Sequence, residues 1–510
     1  MRFIVETLLR RVHSRSSPPV LRHHRRLLLE GHYMARPAAA DRRPLVPNES
    51  LKLLLDEVGW RPETLARKVN AALQQRRKSR RVHEKTPYRW LRGEIPHPPV
   101  PDIVVDLLID ALRQPVRFDM VWPEATHPCP TWLWPDEDPD VPWDHMGLQK
   151  LLGEWSLSML TRRTFLTLTG TALTGPAWQL LDAPTPIPAR TGKGTQVPPP
   201  LMALIETMVV NAQQLDERHG SAAADFVASQ FAMVNRLVRN STYDGETGQR
   251  LCAALAQLAQ TSGWMAQEAE QDGRAQRWYR IGELAAHCAG DHGLTASIMA
   301  LMSNHATTLG QHHDALQLAA AATEAADQAP AAVQALIAAR SSLAHAGAGD
   351  LPGVQRARDH AAELAEIADQ HPDQRPTWAG YVTRTELDAI TGRALVMLAR
   401  HIPGRRRKLL IRDAETLLLE RALDPSEAHQ RSALRHGAYL SLAHCQAGDL
   451  DQAVYTGHLA LQRLPMVTSA RCLALLAELR SDLAPHAQRS RQVRTLISEL
   501  DAQVPRSPGR

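Results

Sequence analysis

The sequence predicts an all-α protein in two parts, a short basic helical head and a long array of paired helices. Three observations carry this. Aromatic residues make up 5% of the chain and hydrophobic residues 44%, much of it alanine, a profile that suits packed helices and argues against a β-sandwich or a disordered chain. Apolar residues recur at helical spacing from Pro47 to Trp122 and from Leu201 to about Leu500, which marks amphipathic helices. In the second region turn glycines return every 37 to 39 residues, at Gly273, Gly310 and Gly349. At 510 residues the chain is long enough for two to four domains.

Charge is distributed very unevenly. The whole chain has a net charge of +5, which says little by itself. Between Arg61 and Arg92 eleven basic residues face only Glu63 and Glu84, a local charge of +9. Residues 93–150 then carry −8. A basic patch of this density favours a polyanion, either nucleic acid or an anionic membrane face. A solvated arginine-rich loop is the alternative reading of the same charge. The five cysteines are dispersed with no C-x-x-C pair, so neither a disulfide framework nor a zinc ribbon is expected.

Residues 1–46 read as a disordered, basic, arginine-rich extension without the apolar run of a secretory signal, and Met34 is a second candidate start. The head spans 47–122. Asn48 is placed to cap a helix through Leu51, Leu54, Leu55 and Val58, which Gly59 stops. Pro62 opens a second helix with Leu65, Ala66, Val69 and Leu73 on one face. After a basic excursion, Thr86 is expected to cap a short helix with Pro87 at its first position, ended by Gly93. Ile103, Val104, Leu107, Leu108 and Leu112 make a strongly apolar fourth helix. Two proline-rich stretches, 122–143 and 183–200, read as linkers, the second the more flexible. Residues 123–200 are thus expected to be a linker carrying one docked helix at 147–182.

From 201 to 500 the unit is a helix, a turn glycine and a helix with small residues at fixed offsets. Gly310 is followed by Ala315, Ala319 and Ala322, and Gly448 by Ala453, Gly457 and Ala460. Weaker copies follow Gly273 and Gly349, and a degenerate one turns at Pro403-Gly404. The period approaches the ~34 residues of tetratricopeptide (TPR) repeats, and small residues let antiparallel helices approach closely. A TPR-like α-solenoid is expected, with an alanine-rich bundle as the alternative. Residues 501–510 read as a disordered tail.

No catalytic or nucleotide motif survives inspection. Gly192-Lys193-Gly194-Thr195 lacks the first glycine and flanking elements of a phosphate loop. There is no G-x-S-x-G, no H-E-x-x-H and no paired Cys/His set. No enzyme, cofactor or metal is expected. The head does carry a mechanism. A helix-turn-helix-like domain needs one positioning helix and a second whose exposed face enters the major groove. In Lys85–Gly93, Trp90 and Leu91 would pack inward while Lys85, Thr86, Tyr88, Arg89 and Arg92 project outward. Arg89 could donate two hydrogen bonds to a guanine edge, and Arg92 with Arg76, Arg77, Arg80 and Arg81 could reach phosphates.

The run YRWLRGEIPHPPVP at 88–101, the later VPWD and TRRTFL segments, and the glycine-anchored repeats resemble helix-turn-helix/TPR regulators of high-GC Gram-positive bacteria. The resemblance covers most of the chain from Pro47 onward, and it departs from the family in the long basic insertion between Val69 and Thr86. It implies a cytoplasmic one-component transcriptional regulator, with a DNA-binding head and a sensing or partner-binding array. Expected partners are double-stranded DNA at the head, a peptide, protein or small-molecule ligand in the repeat groove, and a second copy of the chain in a homodimer. Two rivals remain: a TPR scaffold without sequence-specific DNA binding, and a membrane-tethered or exported protein. The second arises because Arg162-Arg163 before an apolar stretch resembles a twin-arginine signal, though that stretch is short of the ~20 residues that span a bilayer.

Overall fold

A computed structural model describes residues 47–75, 81–96, 100–112, 116, 121–122, 144–158, 167–192 and 194–504. Among the described residues there is no strand, only two isolated β-bridges. Among the described residues twenty α-helices follow one another. The head holds α1 (Glu49–Glu57), α2 (Pro62–Gln75), α3 (Thr86–Leu91) and α4 (Val100–Leu112). Then come α5 (His145–Ser158), α6 (Thr171–Asp182), α7 (Pro199–His219) and α8 (Ala224–Asn240). The remaining twelve pair as α9 (Gly245–Glu268) with α10 (Asp272–Ala289), α11 (His292–Thr308) with α12 (His312–Ala325), and α13 (Ala331–Gly347) with α14 (Leu351–Gln370). They continue as α15 (Arg384–Ala399) with α16 (Gly404–Leu423), α17 (Gln430–Ala447) with α18 (Leu450–Gln462), and α19 (Ala470–Leu483) with α20 (Arg491–Gln503).

The head has its own core, in which Leu51, Leu65, Val69, Ile103, Val104 and Leu108 are fully enclosed. Asn48 organises it. Its Oδ1 accepts from the Leu51 amide at 2.9 Å, the expected cap, and its Nδ2 donates to Val121 O at 2.7 Å. Its own amide donates to Leu91 O at 3.0 Å. One short polar side chain thereby ties α1 to α3 and to the end of the head. Trp90 packs edge-on against Trp122 with ring centroids 6.1 Å apart, a favoured aromatic geometry.

Paired helices pack because the positions facing a neighbour are small. Gly282 in α10 sits where an added Cβ would lie 3.2–3.3 Å from Ile298 and Ala259, and Gly392 where it would meet Leu418 at 2.9 Å. Turns follow a repeated chemistry. At Gly290-Asp291, Gly349-Asp350 and Gly448-Asp449 a left-handed glycine ends one helix, and the aspartate accepts an amide of the next. Gly310 is also a left-handed glycine, though Gln311 after it makes no side-chain cap, and Gly273 is not a turn at all: it is the second residue of α10. The turn there falls at Glu270, whose φ of 57° is the one positive value on a non-glycine residue among those described. Counted from Glu270, the buried Ala275 takes the place of Ala315 after Gly310 and Ala453 after Gly448. The unit is the same; a glutamate holds the glycine conformation, at a cost of ~1 kcal/mol or more.

The odd-numbered helices α9 to α19 form the inner layer, each touching the next. The array curls until its ends meet, α9 against α19 and α7 against α17. A buried charge network makes the join. Arg431 of α17 forms a two-pronged bridge to Asp216 of α7 at 2.9 and 2.6 Å. Glu268, at the end of α9 and 2% exposed, accepts from Arg435 at 2.5 Å and from Ser469 at 2.6 Å. Arg471 of α19 pairs with Asp272 and donates to Gln267 O.

Segment 183–200 is not a free tether. Arg190 and Gln196 bridge to Tyr243 and Thr242, and Arg190 donates a side-chain hydrogen bond to Ser241 O at 2.7 Å. Gly248 admits it: a Cβ there would lie 1.7 Å from Pro188 O. Before it, Leu168 exchanges two hydrogen bonds with the Gln276 side chain, and α6 packs on α10 and α12. Arg162-Arg163 lies outside the described residues. Among those described, no helix is long and apolar enough to cross a membrane.

Candidate functional site

The cationic face of the head is built on α3. Pro87 and Trp90 are buried and anchor the helix, while Lys85, Arg89 and Arg92 are exposed and Tyr88 is 39% exposed. Arg81, also exposed, stands beside Val82, which Asn70 of α2 clamps by accepting from its amide and donating to its carbonyl, both at 2.8 Å. Asn70 thus fixes where the basic excursion rejoins the fold. Arg76, Arg77 and Arg80 lie outside the described residues.

Thr86 requires a correction. It is the first residue of α3, not its cap; Lys85 occupies the cap position, with no side-chain capping bond. The Thr86 amide is satisfied by His83 O at 2.9 Å and the Lys85 amide by His83 Nδ1, so a turn at His83 leads the chain into α3.

Two outward side chains are engaged by carboxylates that sequence inspection missed. Tyr88 Oη donates to Glu63 Oε1 at 2.7 Å, and Arg89 pairs with Glu94 just past the helix-ending glycine. The Tyr88 hydroxyl holds the Glu63 carboxyl below its ordinary range, and the same bond raises the phenol. The Arg89 pair is solvent-facing and worth at most ~1 kcal/mol, so an incoming phosphate or guanine edge can displace it cheaply. Among the described residues, Lys85, Arg92 and Arg81 have no ion-pair partner. A signal for Glu94 was present: the chain reverses at Gly93, returning the next residue toward α3.

A second concavity lies inside the ring of helices, a cavity of about 490 Å³ lined from α7 through α17. Trp264, Asn304, Arg340, Tyr381, Arg393 and Arg435 are on its wall. Among the described residues, no cluster of His, Cys, Asp or Glu could hold a metal ion. The four described cysteines are free and buried, and burial pushes the Cys445 thiol up to about 11, far from a reactive thiolate.

Fold and sites together define an all-helical protein with a compact cationic head and a solenoid-like array closed around a cavity lined by arginines and apolar side chains. The family model described as the SP15 N-terminal domain matches residues 51–121, the span of the head's core from Leu51 to Val121. No curated protein and no solved structure matches the chain.

Proposed function

We propose that this chain is a DNA-binding transcriptional regulator of the helix-turn-helix/TPR kind, with the head on DNA and the repeat array as its ligand- or partner-sensing part. The observation that carries the reading is α3: a short helix anchored through Pro87 and Trp90 that turns Lys85, Arg89 and Arg92 to solvent. Phosphates would be met by Arg92, Arg81 and the neighbouring Arg76, Arg77 and Arg80, and a base edge by Arg89 once it leaves Glu94. The period, the glycine turns and the inner layer of first helices favour a TPR-like array.

A second reading, a scaffold whose basic head lacks sequence preference, is favoured by the engagement of Tyr88 and Arg89 with Glu63 and Glu94. Selection of duplexes from a random library by the full-length protein decides between them. Enrichment of a defined motif that is lost in Arg89→Ala supports the regulator. Recovery of the input sequence distribution supports the scaffold.

A further inference from the structure

The ring cavity holds five arginines, and their partners divide them sharply. Arg431 is matched by Asp216, Arg435 by Glu268, and Arg421 by Glu386 and Asp424. Arg340 and Arg393 have no carboxylate within ion-pair distance among the described residues. Arg340 is 8% exposed and donates only to neutral groups, Ser297 and the Tyr381 hydroxyl at 2.9 Å. Arg393 donates to Asn304 Oδ1 at 3.0 Å and lies over the Tyr439 ring. Its Nε is buried with no hydrogen-bond partner. A buried guanidinium without a counter-charge is costly. Arg340 on α13 is such a group, and the half-buried Arg393 on α15, the adjacent inner helix, adds a second cation without a carboxylate, leaving a local excess of positive charge facing the cavity.

The surrounding groups sharpen the ligand class. His436, on the same wall, is fully buried and held well below its ordinary value, first by burial and then by Arg435 and Arg393. It therefore adds no charge near neutrality and leaves the arginines as the cationic donors. Beside them, successive inner helices contribute Trp264, Leu301, Leu343 and Ile390, an apolar floor for an organic body. At about 490 Å³ the space suits a small molecule, within the ~300–1,000 Å³ common for such pockets.

We infer that the ring cavity is a binding site for a small organic anion with an apolar body, its carboxylate or phosphate group held by Arg393 and Arg340. The guanidinium fork is suited to both oxyanions. The anion would also bridge α13 to α15, so that binding stiffens the inner layer of the ring. This inference rests on the reading of the array as the sensing part, but its test involves no DNA and stands whether or not the head is sequence-specific.

Calorimetry on the full-length protein with 2-naphthoate, 2-naphthyl phosphate and neutral 2-naphthol supplies one apolar body with three head groups. The expected result is binding of at least one anion, tighter than 2-naphthol by 10-fold or more. Arg393→Gln should weaken that anion 10-fold or more, as loss of a charged hydrogen bond requires, while leaving 2-naphthol unchanged. Arg393→Lys keeps the charge and guards against a folding defect, with circular dichroism as the control; its expected affinity lies between wild type and Arg393→Gln. The two anions distinguish carboxylate from phosphate preference. Equal affinity for anion and alcohol, no binding of either anion, or an Arg393→Gln protein that binds the anion as wild type does, overturns the inference.

Discussion

Replacing Glu268 by alanine removes the carboxylate at the centre of the ring closure. Glu268 is 2% exposed and serves Arg435 through one oxygen and Ser469 through the other. Burial alone would raise its carboxyl, but Arg435 and the arginines around it hold it below its ordinary value. Without it Arg435 remains, its side chain 13% exposed, with no carboxylate and only the Trp264 ring beneath it at 5.2 Å. Breaking one partner of a buried pair costs ~3–5 kcal/mol, and the cation–π contact, already made in the intact protein, offsets none of it. Spread over the ~300 or more residues that unfold together, that loss is a fall in Tm of roughly 3–8 °C. Thermal and urea unfolding of the full chain by circular dichroism reads this directly. A double variant, Glu268→Leu with Arg435→Met, removes both charges and should recover most of the loss. A Glu268→Ala protein within ~2 °C of wild type, or a double variant no better than the single one, would refute the role assigned to the network.

Three further outcomes follow from the same structure. Stability should fall in two stages on acidification. Buried His436 stays neutral when folded but protonates when unfolded near its ordinary 6.5, so up to ~1.4 kcal/mol per pH unit is lost below that value; below the ordinary 4.5 of Glu268 its depressed carboxyl adds a second loss as pH falls toward its folded value. Urea midpoints from pH 8 to 3 test this, and a midpoint independent of pH between 6.5 and 5 would count against it. Gly248→Ala drives a Cβ into Pro188 O and should cost ~2 kcal/mol or more or release segment 184–198, seen as faster proteolysis there; an unchanged cleavage pattern and Tm would contradict that packing. Thr86→Ala should leave the head's stability within ~0.5 kcal/mol of wild type, because no capping bond is lost; a loss near 1 kcal/mol would restore the hydroxyl as a cap.

What could be read from the residues was what short stretches decide for themselves. Asn48 before an apolar period, Pro62 at a helix start, and left-handed Gly59, Gly310, Gly349 and Gly448 all act through their own few neighbours. The turn at Glu270 was hidden because a side chain there adopts the conformation that glycine advertises. The alanine and glycine offsets announced close pairing of helices but not the curvature of the stack. Closure depends on Arg431 and Asp216, 215 residues apart, and on Glu268 meeting Ser469; no local pattern encodes such contacts. Proline content suggested a linker at 183–200, whereas the groove beside Gly248 and the Tyr243 backbone hold that segment in place. On the head, the outward direction of Lys85, Arg89 and Arg92 was legible from the inward Trp90, while the carboxylates facing Tyr88 and Arg89 required three dimensions.

The proposal that α3 reads DNA is tested by fluorescence anisotropy of the full-length protein on a selected duplex and a scrambled one, from about 50 to about 200 mM salt. Wild type should prefer the selected duplex by roughly 10³-fold or more, with affinity falling steeply as salt rises. Lys85→Ala with Arg92→Ala should weaken both duplexes and flatten the slope by ~0.9 for each phosphate contact removed. Arg89→Ala should cost ~1–3 kcal/mol on the selected duplex alone. Affinities for the two duplexes within a few-fold of one another, with Arg89→Ala indistinguishable from wild type, would rule out sequence reading by α3.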